Sequence, residues 1–253
     1  MLRGIYTAGS GMIAEGYRTD TIANNLANAD TAGYKKDINI TKEFNNELIK
    51  RINDQADKGE KPPIGRMGFG VINDENFVSH AAGAMKITDN TLDIAIEGPG
   101  YFTIETPQGL RYTRAGNFTL NSNQEIVNAE GYRVLGAGNV PLVKIDDELP
   151  LTISTDGTVY NGDQEIGLLA IVDFDNKNLL RKQAGTLFVA PENANQVPFT
   201  GRIHQGSLET SNINIVQEMV NLISSYRAYE INSKAVQSQD QITDRAINEV
   251  AKG

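Results

Sequence analysis

The sequence predicts an α+β protein in which long, coiled-coil-like helices at both ends of the chain flank a mainly antiparallel β-domain. Near both termini, apolar and small residues recur every three or four positions, the spacing of helices that pack along a seam. Between them, short apolar runs alternate with turn-forming residues, as strands and turns do. We therefore divide the chain into a helix and turn over 1–35, an extended connector over 36–70, a β-domain over 71–205 and a long helix over 206–253.

The N-terminal helix is predicted from Leu2 to about Ala27. Its four glycines each cost roughly 1 kcal/mol against alanine, so the helix is marginal on its own. It is then either a frayed tail or a segment that orders when neighbours enclose it. Two of the glycines lie on the seam, where a small residue lets another backbone come close. The seam consists of Leu2, Ile5, Gly9, Met12, Gly16, Thr19, Ala23 and Leu26.

A block of asparagines follows this helix, and Gly33 stands a few residues beyond it. Asn and Gly tolerate the left-handed backbone conformation that a helix terminus needs, so the helix is expected to end here. We expect side chains of the block to hydrogen-bond where the helix turns into the connector, with simple helix termination as the alternative. The asparagines are Asn24, Asn25 and Asn28.

The connector is polar, and the strands are predicted to begin near Val71. Within the connector, Phe44, Leu48 and Ile52 have the spacing of a short helix. In the β-domain, Asp-Gly and Asn-Gly pairs signal hairpins, and a turn about every ten residues predicts a small antiparallel domain. The run 168–174 is the most apolar and is predicted to be one central strand, and 188–190 is predicted to be the last strand.

The C-terminal helix is predicted from Ile215 to about Lys252, with Asn214 and Gln217 forming a capping box at its start. A second apolar row, beginning at Val216, flanks its seam. Two rows suit a helix that touches more than one partner. The alternative is a hairpin closed with the N-terminal helix inside one chain. The seam consists of Ile215, Met219, Leu222, Tyr226, Tyr229, Ser233 and Val236.

Composition and residue spacing argue against nucleic-acid binding, metal binding and catalysis. The net charge of -9 disfavours nucleic acid and anionic membranes, which need clustered Lys and Arg. There is no cysteine, so disulfides and thiolate metal sites are excluded. His80 and His204 stand alone, and no serine lies in a nucleophile-elbow context. We therefore expect no enzyme activity, no cofactor, no metal and no small-molecule substrate.

The sequence predicts neither a membrane span nor a cleavable secretory signal. No apolar run approaches the ~20 residues of a membrane span. The N-terminal residues lack a basic region followed by a continuous apolar core, so they are not expected to form a cleavable secretory signal. Export by a machine that reads uncleaved N-terminal sequence stays open.

Three regions of the chain resemble the flagellar axial proteins of the rod and hook. At the N-terminus these are Ile5-Tyr6-Thr7-Ala8, Asn24-Asn25-Leu26-Ala27-Asn28-Ala29 and Gly33-Tyr34-Lys35. The middle blocks run over 92–102 and Tyr112-Thr113-Arg114-Ala115-Gly116-Asn117-Phe118. The C-terminal blocks are Leu208-Glu209-Thr210-Ser211-Asn212 and 227–234. The chain is identified as a member of the flagellar basal-body rod family, as either a proximal or a distal rod protein.

This resemblance implies a structural subunit that polymerises through its terminal helices into a hollow, torque-transmitting shaft, with the β-domain facing outward. Head-to-tail contacts that do not close generate such a filament. The implied partners are further copies, other rod and hook subunits and the flagellar type III export apparatus. The implied location is the basal body in the cell envelope.

The expected assembly interface lies on the two seams and the asparagine block. The alternative function is a secreted oligomeric adhesin or binding module, which would need an exposed aromatic groove near Tyr101, Phe102 and Tyr112. The interface residues are Leu2, Ile5, Met12, Leu26, Asn24, Asn25, Asn28, Ile215, Met219, Leu222, Tyr226, Tyr229 and Val236.

Overall fold

The computed structural model describes residues 2–50, 63–146 and 148–250. It contains two compact units, each made of segments that are distant in sequence. The first unit consists of the described residues within Met1–Leu26, Asp37–Phe77 and Ile215–Gly253. The second unit consists of Ala27–Lys36 and Val78–Asn214.

The first unit combines two long helices with a two-stranded sheet. Helix α1 spans Leu2–Ala27, as predicted, and helix α2 spans Ile215–Val250. With 36 residues, α2 is roughly 54 Å long. Strands β1 (Asp37–Lys50) and β2 (Pro63–Val78) pair with each other.

The prediction of a short helix in the connector is wrong, because Phe44 and Leu48 lie in β1. Ile52, the third residue of that prediction, lies outside the described residues. The strand begins with Ile38 and Ile40 two positions apart, the period and residue type of a strand. Its partner β2 is distant in sequence, so the pairing is invisible to a local pattern.

The second unit is a β-domain with short strands. Its largest sheet has the order β15-β16-β6-β5-β9-β8-β7, with β10 added on β9, and β14 joining β5 to β17. Smaller sheets are β11-β12-β13, β18-β4 and β19-β3. All the pairings between these strands are antiparallel. The strands are β3 (Met85–Ile87), β4 (Ile94–Glu97), β5 (Tyr101–Thr106), β6 (Gly109–Thr113), β7 (Thr119–Leu120), β8 (Ile126–Val127), β9 (Arg133–Gly136), β10 (Val140–Pro141), β11 (Leu151–Ile153), β12 (Thr158–Asn161), β13 (Gln164–Leu168), β14 (Ile171–Phe174), β15 (Arg181–Ala184), β16 (Leu187–Val189), β17 (Gln196–Pro198), β18 (Arg202–Gln205) and β19 (Ser207–Glu209).

Aromatic rings form the centre of this domain. Phe102 on β5 meets Phe118 edge to face, with ring centroids 5.1 Å apart. On the other face of β5, Tyr101 packs with Phe174 and Phe188. Tyr101, Phe102 and Tyr112 are all buried. Residues of β5 alternate between two apolar clusters, as a strand buried on both faces requires.

Two strand predictions are wrong. The apolar run 168–174 is not one strand, because β13 ends at Leu168 and β14 begins at Ile171. Between them, the amide of Ala170 donates to the carbonyl of Leu135, and the chain passes from the three-stranded sheet to the largest one. The strand β16 is not the last, since β17, β18 and β19 follow. These strands are short and polar, and they form by pairing with partners far away in sequence.

Candidate assembly interface

Within the first unit, α1 and α2 contact each other through small and polar residues. A Cβ atom at Gly11 would stand 3.1 Å from Nδ2 of Asn232, and one at Gly4 would stand 3.3 Å from Cδ of Gln239. Further along, Thr19 Oγ1 lies 3.1 Å from Ser225 Oγ. We call these six residues the polar ladder: Gly4, Gly11 and Thr19 on α1, with Ser225, Asn232 and Gln239 on α2. The helices run antiparallel, because rising numbers on α1 meet falling numbers on α2.

The polar ladder differs from the predicted seams. Of the seam residues, Thr19 lies on it, whereas a Cβ at Gly9 or Gly16 would meet nothing within 4 Å. The glycines that face α2 are Gly4 and Gly11, which lie on a different face of α1 from Gly9 and Gly16. The hairpin within one chain, which the sequence left as an alternative, thus does form. Its contacts include the glycine, hydroxyl and amide groups of the polar ladder.

The second apolar row of α2, which begins at Val216, points away from α1. Val216 is 72% exposed, Val220 53% and Ile223 54%. Among the predicted interface residues, exposed side chains are those of Ile215, Met219, Tyr226 and Tyr229, and half-buried ones are those of Leu222 and Val236. A helix that leaves so many large apolar side chains in water has an unfilled contact surface.

The predicted interface residues of α1 are less exposed. Ile5, Met12 and Leu26 are half-buried. The side chain of Leu2 lies outside the described part of the molecule. The large exposed apolar residues of this helix, which sequence reasoning did not single out, are Tyr6, Ile13 and Tyr17.

The asparagine block acts inside the chain. Asn25 is buried and makes two hydrogen bonds with Asp37: its Nδ2 donates to the carbonyl at 2.7 Å, and its Oδ1 accepts from the amide at 2.9 Å. Asn28 Oδ1 accepts from Thr31 Oγ1 at 3.3 Å, and Asn24 lies at the surface. The expected side-chain hydrogen bonds are therefore present, and Asn25 uses its amide to imitate a neighbouring strand at the start of β1.

In the second unit, three charged side chains form a buried ion cluster. Glu209 Oε1 accepts from Lys35 Nζ at 2.6 Å, and Glu209 Oε2 accepts from Arg114 Nε. Both the Lys35 and the Glu209 side chains are 2% exposed. The ion cluster, as we call Lys35, Arg114 and Glu209, joins the segment that follows α1, the middle of the β-domain and the segment that precedes α2.

Backbone groups satisfy the remaining hydrogen-bonding capacity of the ion cluster. Lys35 Nζ also donates to the Ala81 carbonyl at 2.8 Å, and the Gly83 amide donates to Glu209 Oε1 at 2.8 Å. The Arg114 guanidinium donates to three further carbonyls, those of Ile96, Gly98 and Gly100. A buried charge is tolerated only with such partners, so the cluster requires its surrounding loops to be in place.

Local backbone geometry brings the cluster together. Gly33 has a φ of +66°, and a Cβ there would stand 2.3 Å from the Ala115 nitrogen. The Gly33 amide donates to the backbone carbonyl of Glu209 at 2.8 Å. Only glycine combines this conformation with so close an approach, and the next residues then place Lys35 beside Glu209.

Burial and charge shift the pKa values of the cluster. Burial lowers the pKa of Lys35 from its usual 10.5, and the neighbouring Glu209 opposes that shift. Burial raises the pKa of Glu209, but the charges of Arg114 and Lys35 lower it further, and the net value lies below the usual 4.5. The ion cluster thus places two basic side chains around one carboxylate.

A buried histidine lies close to these cations. His80 Nδ1 is 2.7 Å from the Tyr101 hydroxyl. Burial lowers the pKa of His80 to about 4, and the nearby charges of Lys35 and Lys177 act in the same direction. At neutral pH the imidazole is therefore uncharged and adds no further cation to the region.

Sequence reasoning missed the ion cluster as a site. Its three residues lie in blocks that resemble the rod and hook proteins, but the sequence did not predict that they form a site. They are Lys35, Arg114 and Glu209. The available signal was local: Lys35 follows Gly33-Tyr34, and Arg114 precedes Ala115-Gly116, so each charge stands among small or aromatic residues. A charge in such a setting is expected to be buried and paired.

The described residues hold neither a metal-binding cluster nor a membrane-spanning helix. No group of three or more His, Cys, Asp or Glu side chains in the described ranges is placed to hold a metal ion. None of the helices in this part of the chain is both long and apolar enough to cross a membrane.

Family models match three parts of the chain. Residues 5–35 match the flagella basal body rod protein model, 95–161 the D1 domain of the flagellar hook protein FlgE/F/G, and 204–249 the C-terminal model of the flagellar basal body rod FlgEFG proteins. Each matched range contains one member of the ion cluster. The three matches therefore meet in space at a single buried site.

Whole proteins match over nearly the full chain. The flagellar basal-body rod protein FlgG of Borreliella burgdorferi is 37% identical over 98% of both chains. FlgG of Bacillus subtilis is 32% identical over 98% of this chain and 99% of its own. FlgF of Rhizobium meliloti is 32% identical over 98% and 97%. The chain belongs to the flagellar basal-body rod protein family, as a structural protein of the flagellar basal body.

Proposed function

We propose that this rod subunit polymerises through α1 and α2 into a hollow shaft that transmits torque. The observation that carries the proposal is that α1 and α2 meet through polar residues while an apolar row of α2 stays exposed. The two helices face each other through the polar ladder, while Val216, Val220 and Ile223 point into solvent. Burying each such side chain is worth roughly 1.5–3 kcal/mol, so repeated contacts along a shaft supply a large driving force.

Other rod and hook subunits are the partners that the family implies, and one relative bears the name flagellar hook-basal body complex protein FlhO. We also propose that the flagellar type III export apparatus delivers the chain unfolded. The absence of cysteine fits that route, because a cysteine-free chain forms no disulfides that block a narrow channel.

The adhesin alternative has less support. It needed an exposed aromatic groove on the β-domain, whereas Tyr101, Phe102 and Tyr112 are buried in the apolar core. These three rings therefore do not form the exposed groove that this alternative requires.

The proposal is tested with Met219→Asp and Tyr226→Asp, since both side chains are exposed members of the predicted interface. In a strain that lacks the native gene, we expect either variant to abolish rod assembly and motility, because a carboxylate cannot be buried in an apolar contact. The matched control is Ile87→Asp, which places the same charge on the exposed strand β3 of the second unit.

Circular dichroism and urea unfolding of the purified variants establish that the β-domain stays folded. Normal rods from either α2 variant would overturn the proposal, as would an equal defect in the Ile87→Asp control.

A further inference from the structure

A groove runs between α1 and β2 within the first unit. Its floor is formed by Ser10 and the buried Ala14, and exposed apolar side chains of Tyr17 and Ile72 stand on its two sides. The groove encloses about 400 Å³. The lining residues are Ser10, Ile13, Ala14, Tyr17, Val71, Ile72 and Asn73.

Hydrogen bonds hold the two walls of the groove together. Thr7 Oγ1 donates to the Phe69 carbonyl at 2.8 Å, and the Val71 amide donates to Ser10 Oγ at 3.2 Å. A Cβ at Gly70 would stand 2.5 Å from Ser10 Oγ, so glycine permits this close approach. The groove is thus a built feature of the unit, with a fixed floor and two apolar walls.

The outer row of α2 has the chemistry to fill such a groove. Val216, Val220 and Ile223 follow the i, i+4, i+7 spacing by which an amphipathic helix anchors in an apolar groove. Val216 and Ser225 are nine residues apart, which is roughly two and a half turns, so this row lies opposite the polar ladder. One chain therefore presents the groove and the row on separate surfaces at the same time.

We propose that the groove between α1 and β2 receives the first half of α2 from a second copy of this chain. The inference rests on the proposed function and deepens it by naming the two surfaces that meet. The contact is heterologous, since the two surfaces differ, and a heterologous contact that does not close forms an open filament.

Direction and charge set the register of the docked helix. Within one chain α1 and α2 are antiparallel, so in a stack of identically oriented copies a neighbour's α2 also runs antiparallel to α1. Arg3, Ser10 and Tyr17 follow each other at seven-residue steps along the groove side of α1. On α2, Val216, Ile223 and Glu230 do the same in the outer row. Antiparallel alignment pairs Tyr17 with Val216, Ser10 with Ile223 and Arg3 with Glu230.

The pairing of Arg3 with Glu230 of the second copy provides charge complementarity at one end of the groove. The Arg3 guanidinium lies over the Phe69 ring, 4.7 Å from its centroid, beside the groove. Neither Arg3 nor Glu230 makes an ion pair within the described residues of its own chain. At the other end, the exposed Asp20 lies near the N-terminus of the docked helix, whose dipole favours a negative charge.

Cysteine cross-linking tests the register directly, because the native chain has no cysteine. A chain with Ile72→Cys is mixed with a chain with Ile223→Cys under oxidising conditions that allow assembly. We expect several-fold more heterodimer than with Ser224→Cys, the matched control that stands at the same depth on a neighbouring face of α2. Equal yields from the two mixtures would overturn the proposed docking.

A charge exchange provides the second readout. Arg3→Glu and Glu230→Arg are each expected to raise the concentration needed for assembly about fivefold, and the double variant is expected to restore it. Far-UV circular dichroism checks that the helices are kept. Polymers that form normally in both single variants would overturn the docking but leave the proposed function standing, whereas a wild-type chain that never polymerises would overturn both.

Discussion

At the scale of single residues, Glu209 stands out because its carboxylate is buried and needs positively charged partners. Its carboxylate lies in the interior between Lys35 and Arg114, which reach it from segments far away in sequence. A buried ion pair is not by itself stabilising, because desolvation cancels much of the attraction. Removing one member, however, leaves an uncompensated charge in the interior. The cluster therefore gives specificity to the way in which the segments around Lys35 and Glu209 pack inside the second unit.

Replacing this carboxylate by an amide is the sharpest test of that role. Glu209→Gln keeps the shape of the side chain but leaves two buried cations without a counter-ion. We expect the free energy of unfolding of the free chain to fall by about 3 kcal/mol, measured by urea denaturation at neutral pH. The control is Glu97→Gln, whose carboxylate is exposed and pairs with His204 at 2.7 Å. A smaller loss for Glu209→Gln than for Glu97→Gln would contradict the role of the cluster.

The same variant has a characteristic pH dependence. The pKa of Glu209 is lowered in the folded protein, so its contribution to stability is fully present above the usual value of 4.5. It is lost as pH falls through the lowered folded value. The difference in unfolding free energy between wild type and Glu209→Gln is thus expected to be constant near neutral pH and to shrink in acid. A difference that grows in acid would have the wrong sign.

At the scale of elements, α1 and α2 are amphipathic in an unusual sense. The polar ladder lies between them inside the chain, whereas the second apolar row of α2, which begins at Val216, is exposed. Helices in isolated proteins usually bury their apolar stripe against the core. The inverse arrangement fits helices whose core is completed by neighbouring subunits, and it explains why two apolar rows occur on α2.

Substitutions at the glycines of α1 are expected to affect the stability of the free chain and its assembly in opposite directions. Gly16 has open space around its Cβ position, so Gly16→Ala is expected to stabilise the free chain by about 0.5–1 kcal/mol in urea unfolding. Assembly is expected to weaken in the same variant, because Gly16 lies on the predicted seam and a methyl group keeps a neighbouring backbone away.

The matched control for this prediction is Gly11→Ala. Its new methyl group would stand 3.1 Å from Asn232, so the gain in stability is expected to be smaller. Stabilisation of the free chain together with unchanged assembly for Gly16→Ala would remove this part of the seam from the interface.

At the scale of the whole molecule, the two units differ in how they are held together. The β-domain has two buried apolar clusters and a buried ion cluster, whereas α1 and α2 meet through the polar ladder. Local opening costs least where few apolar contacts are buried. The four-segment division 1–35, 36–70, 71–205 and 206–253 stays a prediction, and β2 runs across its boundary at residue 70.

Limited proteolysis measures this difference. In dilute free chain we expect early cleavage in the terminal helices and a resistant core close to the predicted 71–205. The fragment with 27–36 is expected to stay bound to the core after cleavage, because Lys35 belongs to the ion cluster. Protection of the termini should rise in the polymer, which serves as the comparison. Equal protection of termini and core in the dilute chain would contradict the prediction.

The sequence by itself determined the helices at both ends, the antiparallel β-domain and the family, because these depend on local periodicity, turn residues and contiguous blocks. It placed α1 correctly and put the start of α2 directly after Asn214. The apolar rows on α2 could also be predicted, because the spacing of apolar residues within one helix is a local property of the sequence.

The tertiary structure alone decided which helical face closes inside the chain, how β1 and β2 pair and where Lys35, Arg114 and Glu209 meet. Each of these depends on contacts between residues that are far apart in sequence. The local spacing of residue types cannot predict such contacts. The same holds for the break between β13 and β14: one apolar run divides between two sheets because Gly157 and Leu135 offer carbonyl partners in different places.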